Sequence, residues 1–371
     1  MAFNEEYWRQ VLSGEREGTK YSAMRLCLSA FEMLYSSGLW LYLAAERVGF
    51  RKRQRLDVPV ISIGNLSVGG TGKTPMTQWI ARKLFEIGYR PAVLNRGHGG
   101  SLSPSSALAS DADGRVLLTA AEAGDEAMLL ANSLPGIPVV VGKDRCASAR
   151  IAIDRFQSDV IVLDDGFQYW QLARDLDIVL LDSTKPFDNG HALPRGFLRE
   201  PKQDLRRAQI VVLTRSDSVD EPQLMLAIGD AKALAPACCV FTAQHVPSGI
   251  FPANSRGEGR LPGRSMLVSG IAQPSSFEAA VEQEGIDFVR PPMVFPDHQE
   301  YGHRESSAIL KRMKECGAES VITTEKDAVK MVGDFLEAPL YEFHIRMKVN
   351  DEVQFWEAVR SHAGLVEALH A

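Results

Sequence analysis

The chain is short of cysteine, of positive charge and of internal repetition, and each shortage closes a class of function. Its five cysteines, Cys27, Cys146, Cys238, Cys239 and Cys316, form no CxxC pair and leave an odd count. Such a set reads as thiols in a reducing compartment, which excludes a disulfide frame and a zinc ribbon. A net charge of −6 argues against a general nucleic-acid binder, whose surface is usually basic. No solenoid or propeller period recurs. What remains is an ordinary folded composition, 45% hydrophobic and 24% charged, with a length of 371 residues that suggests two domains.

Long apolar runs are also scarce, with one exception. Residues 26–45 are twenty positions whose only charge is Glu32. At about 1.5 Å per residue such a helix can cross a hydrocarbon core of roughly 30 Å. Trp40 and Tyr42 stand near its end, as interfacial aromatics do, and Arg47, Arg51, Lys52, Arg53 and Arg55 follow with no acid among them. That basic run is expected to stay cytoplasmic and to meet anionic headgroups. A mostly polar stretch precedes the run and no small-residue cleavage site follows, which excludes a signal peptide. Glu32, Ser36, Ser37 and Gly38 interrupt it, so an amphipathic core helix stays open as the other reading.

Beyond the basic run, short apolar strands alternate with helical stretches. Strands are expected at 58–63, 92–95, 138–141, 160–163, 178–181 and 210–213, most as continuous apolar runs suited to strands covered on both faces. A helix is expected from near Pro75 until Gly88 stops it. The serine-rich stretch 101–110 reads as a mobile surface loop and 246–264 as a long irregular connection.

Between the first strand and that helix lies Gly64-Asn65-Leu66-Ser67-Val68-Gly69-Gly70-Thr71-Gly72-Lys73-Thr74-Pro75. Strand, glycine-rich loop and helix are the context of a phosphate-binding loop. Backbone N–H groups of Gly69, Gly70, Thr71 and Gly72 would surround an anion at the positive end of a helix. Lys73 would reach the β- and γ-phosphates of ATP, and Thr74 would put its hydroxyl on Mg²⁺. Ser67 stands where the strict GxxxxGK[ST] pattern has its first glycine. Downstream, Asp159-Val-Ile-Val-Leu-Asp164-Asp165-Gly166 is an apolar strand ending in paired acids, which places Asp164 and Asp165 as Mg²⁺ holders.

The fold expected is therefore α/β, a P-loop NTPase-type doubly wound and mostly parallel sheet, with a second, smaller α/β domain and an N-terminal membrane-associated helix. The expected boundaries are 1–57 for that helix and the basic segment, 58–215 for the P-loop domain, 216–345 for the smaller domain and 346–371 for a closing helix. Within the smaller domain, strands are expected near 265–268 and 320–323, and Gly364 is a candidate break in the closing helix.

A phosphotransferase also needs a group that takes or orients the proton of its acceptor hydroxyl. Asp125, in Gly124-Asp125-Glu126, is either that base or a helix N-cap. His298, in Phe295-Pro296-Asp297-His298-Gln299, is either its partner or a structural histidine. Spacing leaves both open. The turn-rich stretch 189–201 carries Arg195, Arg199 and Glu200, suited equally to phosphate contact and to structural ion pairing.

Taken together, these segments resemble the tetraacyldisaccharide 4′-kinase family. The motifs that carry the resemblance are residues 63–75, Arg96-Gly97, Gly124-Asp-Glu126, Asp164-Asp-Gly-Phe-Gln168, Leu198-Arg-Glu-Pro201, Ser269-Gly-Ile271, Phe295-Pro-Asp-His298 and Thr324-Glu-Lys-Asp-Ala328. They span most of the chain, and the family's loop has the same form, including the departure from the strict pattern at Ser67. Ala127 and His98 depart from the family pattern in loop detail. The resemblance implies a Mg-ATP-dependent kinase at the cytoplasmic face of a bacterial inner membrane, acting on the 4′-hydroxyl of a tetraacylated glucosamine disaccharide 1-phosphate. It implies Asp125 as base with His298 assisting, and Arg145, Arg199 and Glu200 lining the lipid substrate. It implies no nucleic-acid partner and no obligate protein partner. Two rival readings are a membrane-associated P-loop switch ATPase of the partitioning type and a non-catalytic lipid-binding protein. The first expects a lysine just before the double glycine, where this chain has Val68.

Overall fold

A computed structural model describes residues 5–47, 53–102, 105–253, 263–271, 273–297, 299–331 and 335–365. In chain order its helices are α1 Glu5–Ser13, α2 Thr19–Arg47, α3 Lys73–Glu86, α4 Ala120–Ala123, α5 Asp125–Ser133, α6 Arg145–Phe156, α7 Glu221–Leu234, α8 Pro274–Gln283, α9 His303–Cys316, α10 Glu325–Ala328 and α11 Glu352–Ala363. The strands are β1 Val60–Asn65, β2 Pro91–Asn95, β3 Ala107–Ser110, β4 Val139–Val141, β5 Val160–Asp164, β6 Leu176–Asp182, β7 Ile210–Thr214, β8 Cys239–Pro252, β9 Ser265–Ser269, β10 Phe288–Val294, β11 Ser320–Thr324 and β12 Leu340–Val349.

By its contacts the chain divides into two compact units, each drawn from separated stretches. Residues 1–73, 160–244 and 349–371 form the first, and residues 74–159 and 245–348 the second. In the first unit β1 pairs in parallel with β5 and β6, β6 with β7, and β7 with the start of β8. Strands β1, β5 and β7 are buried at every position, the condition their unbroken apolar runs predict. Leu66, Phe167, Val179, Leu213 and Ala231 belong to one of its cores. In the second unit β4 joins β2 in parallel and β3 in antiparallel, and β9, β10, β11 and β12 pair in parallel. Its cores gather Val268, Ile309 and Leu340 around β9 and α9, and Phe277, Ile322 and Tyr341 around α8.

Local chemistry sets the ends of these elements. Asp144 caps α6 by accepting from the N–H groups of Cys146 and Ala147, and Asp220 caps α7 through Gln223. Gly364, at φ 65°, ends α11 in the left-handed conformation that glycine tolerates best.

Two expectations fail. The serine-rich stretch is not all loop: residues 107–110 form β3, because the β4 edge offers Leu108 and its neighbours unpaired backbone groups. The expected irregular connection begins as strand, since β8 runs on to Pro252. Residues 254–262 of that connection lie outside the described residues, as do Arg51 and Lys52 of the basic run.

Helix α2 starts earlier than the apolar run. Residues 19–45 form a helix long and apolar enough to cross a membrane, with its apolar window unburied. Leu26, Met33, Leu34, Trp40 and Leu41 are each more than half exposed, which no core helix allows. Glu32 is not a flaw in this helix but its anchor. Its carboxylate accepts from the Ala192 N–H at 2.7 Å and lies 2.9 Å from His191 Nδ1.

Candidate active site

Among the described residues, each unit brings together candidate site residues. In the first unit β1 leads into the phosphate loop. Gly64 is required there, because a Cβ at that position would come within 2.5 Å of the Phe167 Cβ. Gly69 has φ 134°, and neither it nor Gly70 has an atom within 4 Å of the space a side chain would fill. The loop is thus an open cradle of backbone, the form an anion site needs. Its shape is held from outside. Asn65 Nδ2 donates to Thr71 Oγ1 at 3.0 Å, Thr214 Oγ1 donates to the Thr71 carbonyl at 3.0 Å, and Arg215 donates to the Gly70 carbonyl at 2.9 Å. Lys73 and Thr74 open α3, so the loop ends at a helix N-terminus.

Strand β5 delivers the paired acids. Asp164 is buried at its end and Asp165 follows at φ 54°, a left-handed turn that aspartate tolerates. The Arg199 guanidinium donates to both Asp165 oxygens at 3.0 and 2.8 Å, and Lys73 Nζ lies 3.7 Å away. Lys73, Asp165 and Arg199, separated in sequence, form one cluster. The donors this unit offers to a metal, the Asp164 and Asp165 carboxylates, are all oxygen. That suits Mg²⁺, which keeps waters and phosphate oxygens and needs only one or two carboxylates. Among the described residues no cluster of three or more His, Cys, Asp and Glu forms a rival metal site.

The stretch 188–199 straps this cluster to the N-terminal helices. On one side Val68 N–H donates to the Phe197 carbonyl at 2.7 Å and Arg199 N–H to the Leu66 carbonyl at 2.6 Å. On the other, Tyr35 donates to the Arg199 carbonyl at 2.7 Å and Arg195 to the Leu12 carbonyl at 2.8 Å, beside the Glu32 anchor. Glu200 turns away from this surface. It is 1% exposed and pairs with Arg207, whose guanidinium lies 3.9 Å from the Phe167 ring centre and 3.8 Å from that of Trp170. Burial pushes the Glu200 carboxyl up to about 7, while Arg207 pulls the other way. Burial likewise lowers Arg207.

In the second unit Asp125 is the first residue of α5, after Gly124 at φ 88°. It is not the N-cap of that helix, a position Gly124 holds. Its Oδ2 lies 3.7 Å from Lys330 Nζ, which lies 3.3 Å from Asp327 Oδ1 and 5.3 Å from the centre of the Tyr301 ring. Asp327 is fully buried, and its Oδ2 accepts from the Gly270 N–H and the Thr324 hydroxyl, both at 2.8 Å. Burial and the nearby Asp327 push the Tyr301 hydroxyl well above its ordinary value. Lys326 pairs with Asp297 at 2.9 Å. His298 lies outside the described residues. Arg145 is buried as the first residue of α6.

Sequence reasoning passed over Lys330, Tyr301, Tyr35 and the anchoring role of Glu32. Asp327 lies inside the Thr324–Ala328 motif, and Lys330 comes one helical turn later, a spacing that offers a hint and no more.

A profile of the tetraacyldisaccharide-1-P 4′-kinase family matches residues 24–363. A tetraacyldisaccharide 4′-kinase of Geobacter sulfurreducens is 39% identical over 351 residues, 93% of this chain and 95% of the relative. One from Pelobacter propionicus is 40% identical over 333 residues, 88% of this chain and 89% of the relative. Among solved structures, the "apo" form of LpxK from Aquifex aeolicus in complex with ATP superposes with a TM-score of 0.72 at 28% identity, covering 91% of this chain and 99% of that one. With the phosphate loop, the paired acids and the Asp125 motif all inside the matched range, the chain belongs to the tetraacyldisaccharide 4′-kinase family.

Proposed function

We infer that this protein transfers the γ-phosphate of ATP to the 4′-hydroxyl of a tetraacylated glucosamine disaccharide 1-phosphate, a step of lipid A biosynthesis. The observation that carries the reading is the cluster of Lys73, Asp165 and Arg199 around an open phosphate loop, in a chain of that family. The loop N–H groups and Lys73 bind the nucleotide phosphates and neutralise them as charge shifts toward the leaving group. Arg199 adds a fork that can pass from Asp165 to phosphate oxygen. Thr74, Asp164 and Asp165 hold Mg²⁺, which when bound screens the phosphate charge. Asp125 takes the proton of the 4′-hydroxyl, and His298 assists it. Arg145 lines the substrate, whereas Glu200 acts from beneath by fixing Arg207 and the ring pair at Phe167 and Trp170.

The lipid acceptor sits in a membrane, so the enzyme works at the cytoplasmic surface of the inner membrane, where ATP is available. One face of α2 is tied to the strap through Glu32 and Tyr35, and the exposed apolar residues are left for the headgroup region. That arrangement favours a helix lying in the surface over one that crosses. The partitioning-type ATPase gains nothing here: Val68 occupies the position of its lysine.

The test is transfer of labelled γ-phosphate from Mg-ATP to the disaccharide 1-phosphate, with Asp125→Ala in parallel. Labelled lipid that disappears in the variant supports the assignment. ATP hydrolysis with no labelled lipid would replace the kinase reading with the switch ATPase.

A further inference from the structure

We propose that Lys330 is a positioning residue for phosphoryl transfer, holding the Asp125 carboxylate by one oxygen while Asp327 holds Lys330. The proposal rests on the reading of Asp125 as the base that takes the acceptor proton.

The geometry gives the three groups unequal parts. Lys330 is 7% exposed, so its ammonium needs a permanent counter-charge. Asp327 supplies it: it is nearer, at 3.3 Å against 3.7 Å, and has no exposure, while Asp125 is 22% exposed. Asp327 is fixed in turn by the Gly270 N–H and the Thr324 hydroxyl. Gly270 is held to glycine, since a Cβ there would meet the Tyr301 hydroxyl at 2.8 Å and Asp327 Oδ1 at 3.1 Å. The Tyr301 ring lies 5.3 Å from the ammonium, within the range of a cation–π contact. Asp327 is therefore the standing partner of Lys330, and Asp125 the variable one.

This division matters for a base. As the acceptor oxygen attacks phosphorus, its proton passes to Asp125, which becomes neutral, and the bond to the ADP oxygen breaks. A lysine whose sole counter-ion was Asp125 would then be left buried and uncompensated, which would oppose the transfer. Because Asp327 keeps Lys330 compensated, Asp125 can change charge at little cost. Lys330 meanwhile holds the Asp125 carboxylate through Oδ2, at 3.7 Å. Such alignment is the kind of placement on which general-base catalysis depends.

The test is a double-mutant cycle in the full-length protein, scored by labelled γ-phosphate transfer, with ATP binding by calorimetry and thermal melting in parallel. Lys330→Met is expected to lower kcat by about 100-fold with ATP affinity kept, and Lys330→Arg to recover part of the loss. In an Asp125→Ala background, Lys330→Met should cause little further loss, because residues that act as a unit are not additive. An equal loss in both backgrounds would overturn the proposal in favour of general support of the fold, and so would an unchanged kcat. Should Lys330→Met fail to fold, Lys330→Gln carries the same cycle, keeping a donor for Asp327. Near-normal turnover by Asp125→Ala alone would strike the base reading itself, an outcome distinct from a failure at Lys330.

Discussion

The two units solve opposite electrostatic problems with similar parts. In the first, one carboxylate, Asp165, is shared by two cations, Lys73 and Arg199. In the second, one ammonium, Lys330, is shared by two carboxylates, Asp125 and Asp327. Two cations converging on one carboxylate suit the arrival of phosphate, and two carboxylates converging on one ammonium suit the acceptance of a proton. Neither cluster needs unusual residues; the ratio of charges decides what each can do.

That contrast breaks most visibly when the member of a cluster proposed to react is removed. Asp125→Asn keeps shape but cannot take a proton, and its kcat is expected to fall by roughly 10²–10⁴-fold. ATP affinity measured by calorimetry should be unaffected, since the loop is untouched. Lys73→Met should do the reverse in part, lowering kcat by about 10³-fold and weakening nucleotide binding too. If both variants lost ATP binding equally, the division of labour between the clusters would be wrong.

Arg199→Lys sharpens the comparison further. Lysine keeps the charge beside Asp165 but loses the planar guanidinium, whose Nη1 reaches both Asp165 oxygens. A loss of roughly 10- to 100-fold in kcat/KM is expected, from about 1.5–3 kcal/mol for a charged hydrogen bond. Full activity would reduce Arg199 to a structural ion pair.

How much of this could be read in advance depends on the range of each interaction. The strands of the first unit and the phosphate loop were legible because both are local: unbroken apolar runs bury on two faces, and the glycines act on their own backbone. The 107–110 strand and the β8 extension were missed because edge pairing depends on a partner far along the chain. The same holds for charged groups. Asp125 and Lys330 are about 200 positions apart, and no sequence period joins them. Glu32 looked like an interruption because its partner, the strap at His191 and Ala192, lies some 160 residues on. Glu200, adjacent to Arg199, points to a buried arginine instead of a ligand, which alternation along a loop cannot reveal.

The anchor can be tested on its own. Glu32→Ala removes a carboxylate that binds a backbone N–H and His191, at a cost of about 1–3 kcal/mol. Thermal melting should fall by several degrees, at roughly 2–4 °C per kcal/mol for a chain of this size. Activity on substrate in vesicles should drop more than activity on substrate dispersed in detergent, because the helix would no longer present its apolar face in register with the strap. Equal losses in the two media would separate α2 from the membrane step.

The smallest effect concerns pH, and it distinguishes Glu200 from the carboxylates proposed to react. Its folded value, pushed up to about 7 by burial against Arg207's pull, stands above the ordinary glutamate value of about 4.3. A raised carboxyl binds more protons folded than unfolded between those two values, so its contribution to stability is whole at low pH. It is lost as pH rises through about 7, by an amount on the order of 1–3 kcal/mol. Glu200→Gln should therefore flatten the fall in melting temperature between roughly pH 5 and 8, even though the uncompensated Arg207 lowers stability throughout. A slope unchanged by the substitution would mean that Arg207 and its two aromatic rings keep Glu200 ionised across that range. The pair would then be a fixed ion pair beneath the strap, and the neighbouring Arg199 would be the only member of that dipeptide with a changing partner.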